Sequence, residues 1–181
     1  MRLLSVGRLE WKKGYEFALE AVQRVRQAGI EVDYRIVGDG SYFEAVAFAR
    51  HQLGLTEVAA LCGAMDREGV RREMERADVF VHAAVSEGFC NAVLEAQAME
   101  LPVVCSDAGG LPDNVVHGET GFVTRRRHAK EMAERIVELA RDAELRQRMG
   151  QAGRKRVETR FRLEDQIRAF EEFYRRVAGR G

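Results

Sequence analysis

Only two prolines, three cysteines and one tryptophan occur in these 181 residues. No apolar run approaches the roughly 18 residues that a bilayer-spanning helix needs. Each shortage excludes something. An odd cysteine count, with no C-x-x-C and no histidine at metal-ligand spacing, argues against both a disulfide framework and a zinc site, and fits a reducing cytoplasm. The N-terminus lacks the charged-then-apolar layout of a secretory signal. Scarce proline, with 46% apolar and 32% charged residues, separates the chain from disordered and fibrous proteins and places it among ordinary α/β or α-rich ones. Charge of one sign is also lacking: 29 basic residues face 29 acidic ones, so nucleic acid is not an expected partner.

The neutral total conceals an asymmetry. Residues 1–123 carry 12 bases and 19 acids, whereas residues 124–181 carry 17 bases and 10 acids. The basic tail could make peripheral contact with anionic lipid headgroups, but its arginines alternate with glutamates at helical spacing, the pattern of a solvated helix face.

Short β-branched runs alternate with longer segments of helical period, which predicts βαβ units around a parallel sheet. Strands are expected at Leu3–Val6, Asp33–Val37, Val58–Leu61, Val79–Ala83, Val103–Ser106 and, more weakly, Gly121–Val123. Helices are expected over 14–27, 42–53, 67–76, 90–99, 129–141, 144–158 and 163–177. In the first, Phe17, Ala18, Ala21, Val22 and Val25 form one stripe, and Gly29 supplies a stop. The last carries Leu163, Ile167, Phe170, Tyr174 and Val177 as an apolar seam that should pack on something. The predicted architecture is a Rossmann-like open parallel sheet of about six strands, helices on both faces, and a C-terminal helical annex, all in one domain over 1–181. Met1 opens almost directly into a strand, as though the chain began at a domain boundary.

Ligands of open parallel sheets bind beyond the carboxyl ends of the strands, so the loops there carry the functional information. After strand one, Arg8 and Lys13 flank glycines that lead into a helix N-terminus, which suits a diphosphate. Two solvated loop cations fit the same residues. After strand two, Gly38-Asp39-Gly40 resembles the start of a dinucleotide loop but lacks the third glycine, and a tight turn explains it as well. After strand four, Glu87 and Glu95 are separated by seven residues, with a helix starting between them. Gly88 should let the chain turn so that the N–H groups of Phe89, Cys90 and Asn91 open toward the crevice. Glu95, about one turn into the helix, could accept both hydroxyls of a ribose diol. Because Ala92, Val93, Ala96 and Ala98 should bury this helix, a glutamate on it is expected to need a partner. After strand five, Ser106–Asp113 offers small residues that make room for a ligand, and Pro112 at a natural first helical position.

Taken together, VGRLEWKKG at 6–14, VGDG at 37–40, ADVFVHAAVSEGFCNAVLEAQAMELPVVCSDAGGLPDNV at 77–115 and HGETGF at 117–122 resemble the C-terminal domain of family 4 glycosyltransferases, which have the GT-B fold of two facing Rossmann-like domains. The resemblance covers nearly the whole chain. It implies a retaining enzyme that takes a hexose from a UDP- or GDP-sugar as co-substrate, with no metal or other cofactor. Arg8 and Lys13 then contact the donor phosphates, Glu95 the ribose, Glu87 the transferred sugar, the backbone at Gly88, Phe89, Cys90 and Asn91 the sugar and phosphate, and Gly63, Ala64 and Met65 the base. Two departures, Ala84-Val85-Ser86 ahead of Glu87 and Cys90-Asn91 after it, bear on sugar choice. The stretch FCNAVLEAQAM is similar to enzymes of surface-polysaccharide assembly. Members of this family take their acceptor site and a cleft histidine from an N-terminal domain, so the 181 residues alone are expected to bind donor and transfer little. Two rivals stay open: a stand-alone Rossmann-type nucleotide-binding module, against whose NAD form the missing G-x-G-x-x-G counts, and a nucleotide-sugar epimerase domain.

Overall fold

In the computed structural model, which describes residues 1–178, six strands form one wholly parallel sheet in the order β3-β2-β1-β4-β5-β6. Residues 179–181 of the expected domain lie outside the described residues. The strands are β1 (Arg2–Val6), β2 (Asp33–Val37), β3 (Ala59–Leu61), β4 (Val79–His82), β5 (Val103–Ser106) and β6 (Gly121–Thr124). Between them run α1 (Tyr15–Gln27), α2 (Phe43–Gln52), α3 (Arg67–Arg76), α4 (Asn91–Ala98) and the single turn α5 (Leu111–Asn114); α6 (Ala129–Arg141), α7 (Ala143–Arg160) and α8 (Leu163–Ala178) follow. A 3-10 turn at Trp11–Lys13 precedes α1. The expected strands and helices are all present, with ends that differ by one or two residues.

Both faces of the sheet are covered, which is why the central strands read as continuous apolar runs rather than alternating ones. Successive side chains nevertheless serve different layers. Leu3, Val79 and Val81 enter the core beneath α1 and α6, while Leu4 and Phe80 enter the core beneath α4. The expected C-terminal helices are present, and the first of them, α6, also covers the sheet: Met132, Ala133, Ile136 and Leu139 are buried with α1 in the first core. Burial of Met132, Ile136 and Leu139 contributes about 1.5–3 kcal/mol for each.

Helix α7 packs on the end of α4, and Gly150 is what permits the approach, since a Cβ there would sit 2.0 Å from the Glu100 carbonyl oxygen. Helix α8 is different. Its seam residues Leu163, Ile167, Phe170, Tyr174 and Val177 are 50–69% exposed, and so is Phe173 beside them at 49%, so among the described residues nothing buries the stripe that was expected to pack.

The strand order reverses between β1 and β4, which places the crevice of this sheet at the carboxyl ends of those two strands.

Candidate functional site

Two loops meet at that crevice, and glycine makes the meeting possible. Gly14, with φ of 63°, ends the 3-10 turn so close to β4 that a Cβ would lie 2.2 Å from the Ala83 carbonyl oxygen. The Val85 N–H donates to the Lys12 carbonyl at 2.8 Å. Lys13 is thereby laid beside the loop that follows β4, and its Nζ lies 2.5 Å from Glu87 Oε2. On the other side of that loop stands Gly109, with φ of 51°, where a Cβ would come within 1.8 Å of the Glu87 carbonyl oxygen. The Gly110 N–H donates to the same carbonyl at 3.2 Å. The small residues after β5 therefore make room for the Glu87 loop itself rather than for a ligand. The glycines after β2 do the same for the first loop: a Cβ at Gly38 would meet the Gly7 carbonyl oxygen at 1.9 Å, and one at Gly40 the Leu9 carbonyl oxygen at 2.4 Å.

The Glu87 carboxylate carries a second partner that the sequence did not reveal. His82, the last residue of β4, points its Nε2 to Glu87 Oε2 at 2.9 Å and lies 3.6 Å from Cys90 Sγ. Both His82 and Cys90 are buried, and the Glu87 side chain is 12% exposed. Burial alone would raise the Glu87 carboxyl, but the hydrogen bonds from His82 and Lys13 outweigh it and hold the group down at about 2. Burial would lower His82, yet its bonds to Cys90 and Glu87 raise it, and that imidazole in turn pulls the Cys90 thiol down against its own desolvation. At neutral pH this cluster is a fixed carboxylate flanked by cationic or polar donors. His82 and Cys90 are eight positions apart in sequence, but the strand end and the returning loop bring them together. A histidine closing the otherwise apolar run Val79–Val81 at a carboxyl strand end was the available signal.

Several expected site residues stand otherwise than their spacing implied. Arg8 does not join Lys13; its guanidinium is 75% exposed and paired with Glu10 at 2.9 Å. Gly88 has no positive φ and open space where a Cβ would go, so the turn does not depend on it. The Cys90 N–H is not free toward the crevice, because it donates to Oδ1 of the buried Asn114 at 3.2 Å. Asn114, a second residue that the sequence did not single out, thus closes part of the N-terminus of α4 from the side of α5. Phe89 is 55% exposed with its ring 5.6 Å from that of Phe161, and Asn91 is exposed at the start of α4.

Glu95 is exposed rather than buried. The packed face of α4 is Val93, Ala96 and Gln97, and Glu95 falls outside it, so no buried charge demands a partner. It forms instead the polar wall of a cavity of about 540 Å³ between α3 and α4, which Val6, Met65, Val70, Met74 and Arg67 also line. Gly63, with φ of 70°, carries the chain from β3 to Met65, and Ala64 between them is exposed. Among the described residues, no helix is long and apolar enough to cross a membrane.

A doubly wound parallel sheet with a polar cluster at its switch point and a cavity alongside is the architecture of nucleotide-binding enzymes. The particular family follows from sequence: the profile described as "Glycosyl transferases group 1" matches residues 2–156, and the chain belongs to that family. Among curated proteins it is 30% identical over 184 residues to the amylovoran biosynthesis glycosyltransferase AmsK of Erwinia amylovora, across 98% of this chain and 45% of the relative. It is 46% identical over 84 residues to the capsular polysaccharide biosynthesis glycosyltransferase CapM of Staphylococcus aureus, across 46% of this chain and 22% of the relative. The chain thus spans less than half the length of these relatives. In three dimensions it is similar to Anabaena HepE, solved in complex with UDP-glucose, with a TM-score of 0.87 and 22% identity over 96% of this chain and 48% of that one.

Proposed function

We propose that this chain is the donor-binding part of a retaining glycosyltransferase that transfers a hexose from a UDP- or GDP-sugar to a glycan or lipid-linked acceptor in surface polysaccharide synthesis. One observation carries the reading: Lys13 from the loop after β1 and Glu87 from the loop after β4 are paired at 2.5 Å where the strand order reverses, and Val6 at the end of the same β1 lines a cavity walled by Glu95 and Met65. The base lies against Gly63, Ala64 and Met65, and Glu95 takes the ribose hydroxyls. Lys13 leaves Glu87 for the diphosphate, and Arg8, held only by an exposed pair with Glu10, swings in beside it. These cations, with the N–H groups at the start of α4, neutralise the departing nucleoside diphosphate and make a metal unnecessary for that task. Glu87, held anionic by its neighbours, faces the sugar together with the backbone of Gly88, Phe89 and Asn91, the Cys90 N–H being taken by Asn114, and favours positive charge developing at the anomeric carbon.

The acceptor site belongs to a further N-terminal domain. That this chain matches 45% of one relative and 48% of the UDP-glucose-bound neighbour supports the assignment, as do the polysaccharide roles in the names of AmsK and CapM. Calorimetric titration with UDP, GDP, their hexose conjugates and NAD tests the donor reading. Binding of one nucleoside diphosphate and its sugar is expected; tight binding of NAD with none of the nucleoside diphosphates would overturn it.

A further inference from the structure

We infer that His82, Glu87 and Cys90 form a binding site for a single borderline divalent cation, zinc in particular, with its fourth coordination position open to the cleft. Nε2, a carboxylate oxygen and Sγ of these residues lie within 4.8 Å of one another. Two of the three donor edges are near those of a tetrahedral ion, and the third, from the Glu87 oxygen to Cys90 Sγ, lies within 4.8 Å and must be about 3.6 Å when an ion is bound. With Zn–N of about 2.0 Å and Zn–S of about 2.3 Å at tetrahedral angles, the N to S edge is roughly 3.5 Å, and the observed edge is 3.6 Å. The N to O edge requires roughly 3.3 Å against an observed 2.9 Å, an opening of a few tenths of an ångström within reach of a glutamate rotamer. Mixed nitrogen, oxygen and sulfur donors favour zinc or cobalt over magnesium or manganese, which prefer all-oxygen sets.

Two ligands come from the buried end of β4 and the start of α4, and so are fixed by packing, whereas Glu87 is the ligand through which the ion meets the cleft. Three protein ligands with the fourth position left to water is the pattern of open zinc sites rather than of closed, four-ligand structural ones. Lys13 sets its strength. The ammonium 2.5 Å from Glu87 Oε2 occupies the place of the cation's charge, so metal binding must displace it.

The test is titration of the reduced chain with Co²⁺ and with Zn²⁺, following the cobalt spectrum and the heat of zinc binding. The expected result is one equivalent per chain, a thiolate-to-cobalt charge-transfer band, and the visible bands of a tetrahedral ion. Loss of partners outside the coordination sphere alone costs about ten- to a hundredfold in metal affinity, so Cys90→Ala and His82→Ala should each cost at least about tenfold. Cys62→Ser should bind as the parent does, and Lys13→Ala should bind more tightly. A parent spectrum without the thiolate band overturns the inference whether or not the variants fold. So does a band that survives Cys90→Ala, or an affinity that does not rise in Lys13→Ala.

Discussion

Glu87 and Glu95 flank the start of the same helix and end in the same functional group, but the fold treats them in opposite ways. Glu87 lies in a loop clamped by Gly14 on one side and Gly109 on the other, is almost fully covered, and has two partners on one oxygen. Glu95 lies on the open side of α4 at the rim of a cavity, with no hydrogen bond or ion pair to its side chain among the described residues. Prior satisfaction separates them. A carboxylate already paired and desolvated is pre-oriented and costs little to use at the moment of reaction, whereas an exposed one binds by exchanging water for ligand hydroxyls and gains correspondingly little.

The largest effect should therefore fall on Glu87. In the complete enzyme, Glu87→Ala is expected to lower kcat by about a hundredfold while the affinity for free UDP or GDP changes only a few-fold; steady-state rates beside calorimetry give both numbers, and an equal loss in each would erase the distinction. Gly109→Ala comes next, because it attacks the clamp without touching either carboxylate. A methyl at φ of 51°, 1.8 Å from the Glu87 carbonyl oxygen, forces backbone movement, and a loss of about 2 kcal/mol or more is expected in denaturant unfolding. Wild-type stability in that variant would show that the Glu87 loop is not clamped. Glu95→Ala should be milder: about 1 kcal/mol of nucleoside diphosphate affinity, or roughly fivefold in Kd, with unfolding unchanged. Unaltered affinity would remove Glu95 from the site.

What the sequence made legible follows the same division. The central parallel strands, covered on both faces, are continuous apolar runs and could be located directly, the outer ones by their β-branched and aromatic residues, and α1 could be oriented from its stripe. Side-chain environment was less legible than position. Glu95 was expected to be enclosed because Ala92, Val93, Ala96 and Ala98 surround it in sequence, yet a helix buries only one face and the buried set is Val93, Ala96 and Gln97. The C-terminal helices were legible as a group following the last strand, but not that α6 packs with α1 in the first core. The contact among His82, Glu87 and Cys90 has no local pattern at all: it depends on how far the loop after β4 folds back, and that is set by Gly109 and Asn114 from other elements. In α8 the apolar seam was read correctly, but a seam does not say what covers it.

The remaining effect concerns acid. Because the Glu87 carboxyl titrates at about 2 in the folded chain against an ordinary 4.5, folding favours its ionised form. The contribution of its pairs with Lys13 and His82 is then complete above about pH 5 and is lost as the pH falls through 4.5 toward 2, since the unfolded chain takes up the proton first. Glu87→Gln keeps the shape and removes the titration, so its stability should fall less steeply than the parent's over that interval, while the two curves run parallel above pH 5. Chemical denaturation at half-unit steps from pH 2 to 6, with EDTA present, reads the slope. Equal slopes would mean that the pairs with Lys13 and His82 persist in the unfolded chain or add nothing to the folded one, and the contrast between the two glutamates would then rest on exposure alone.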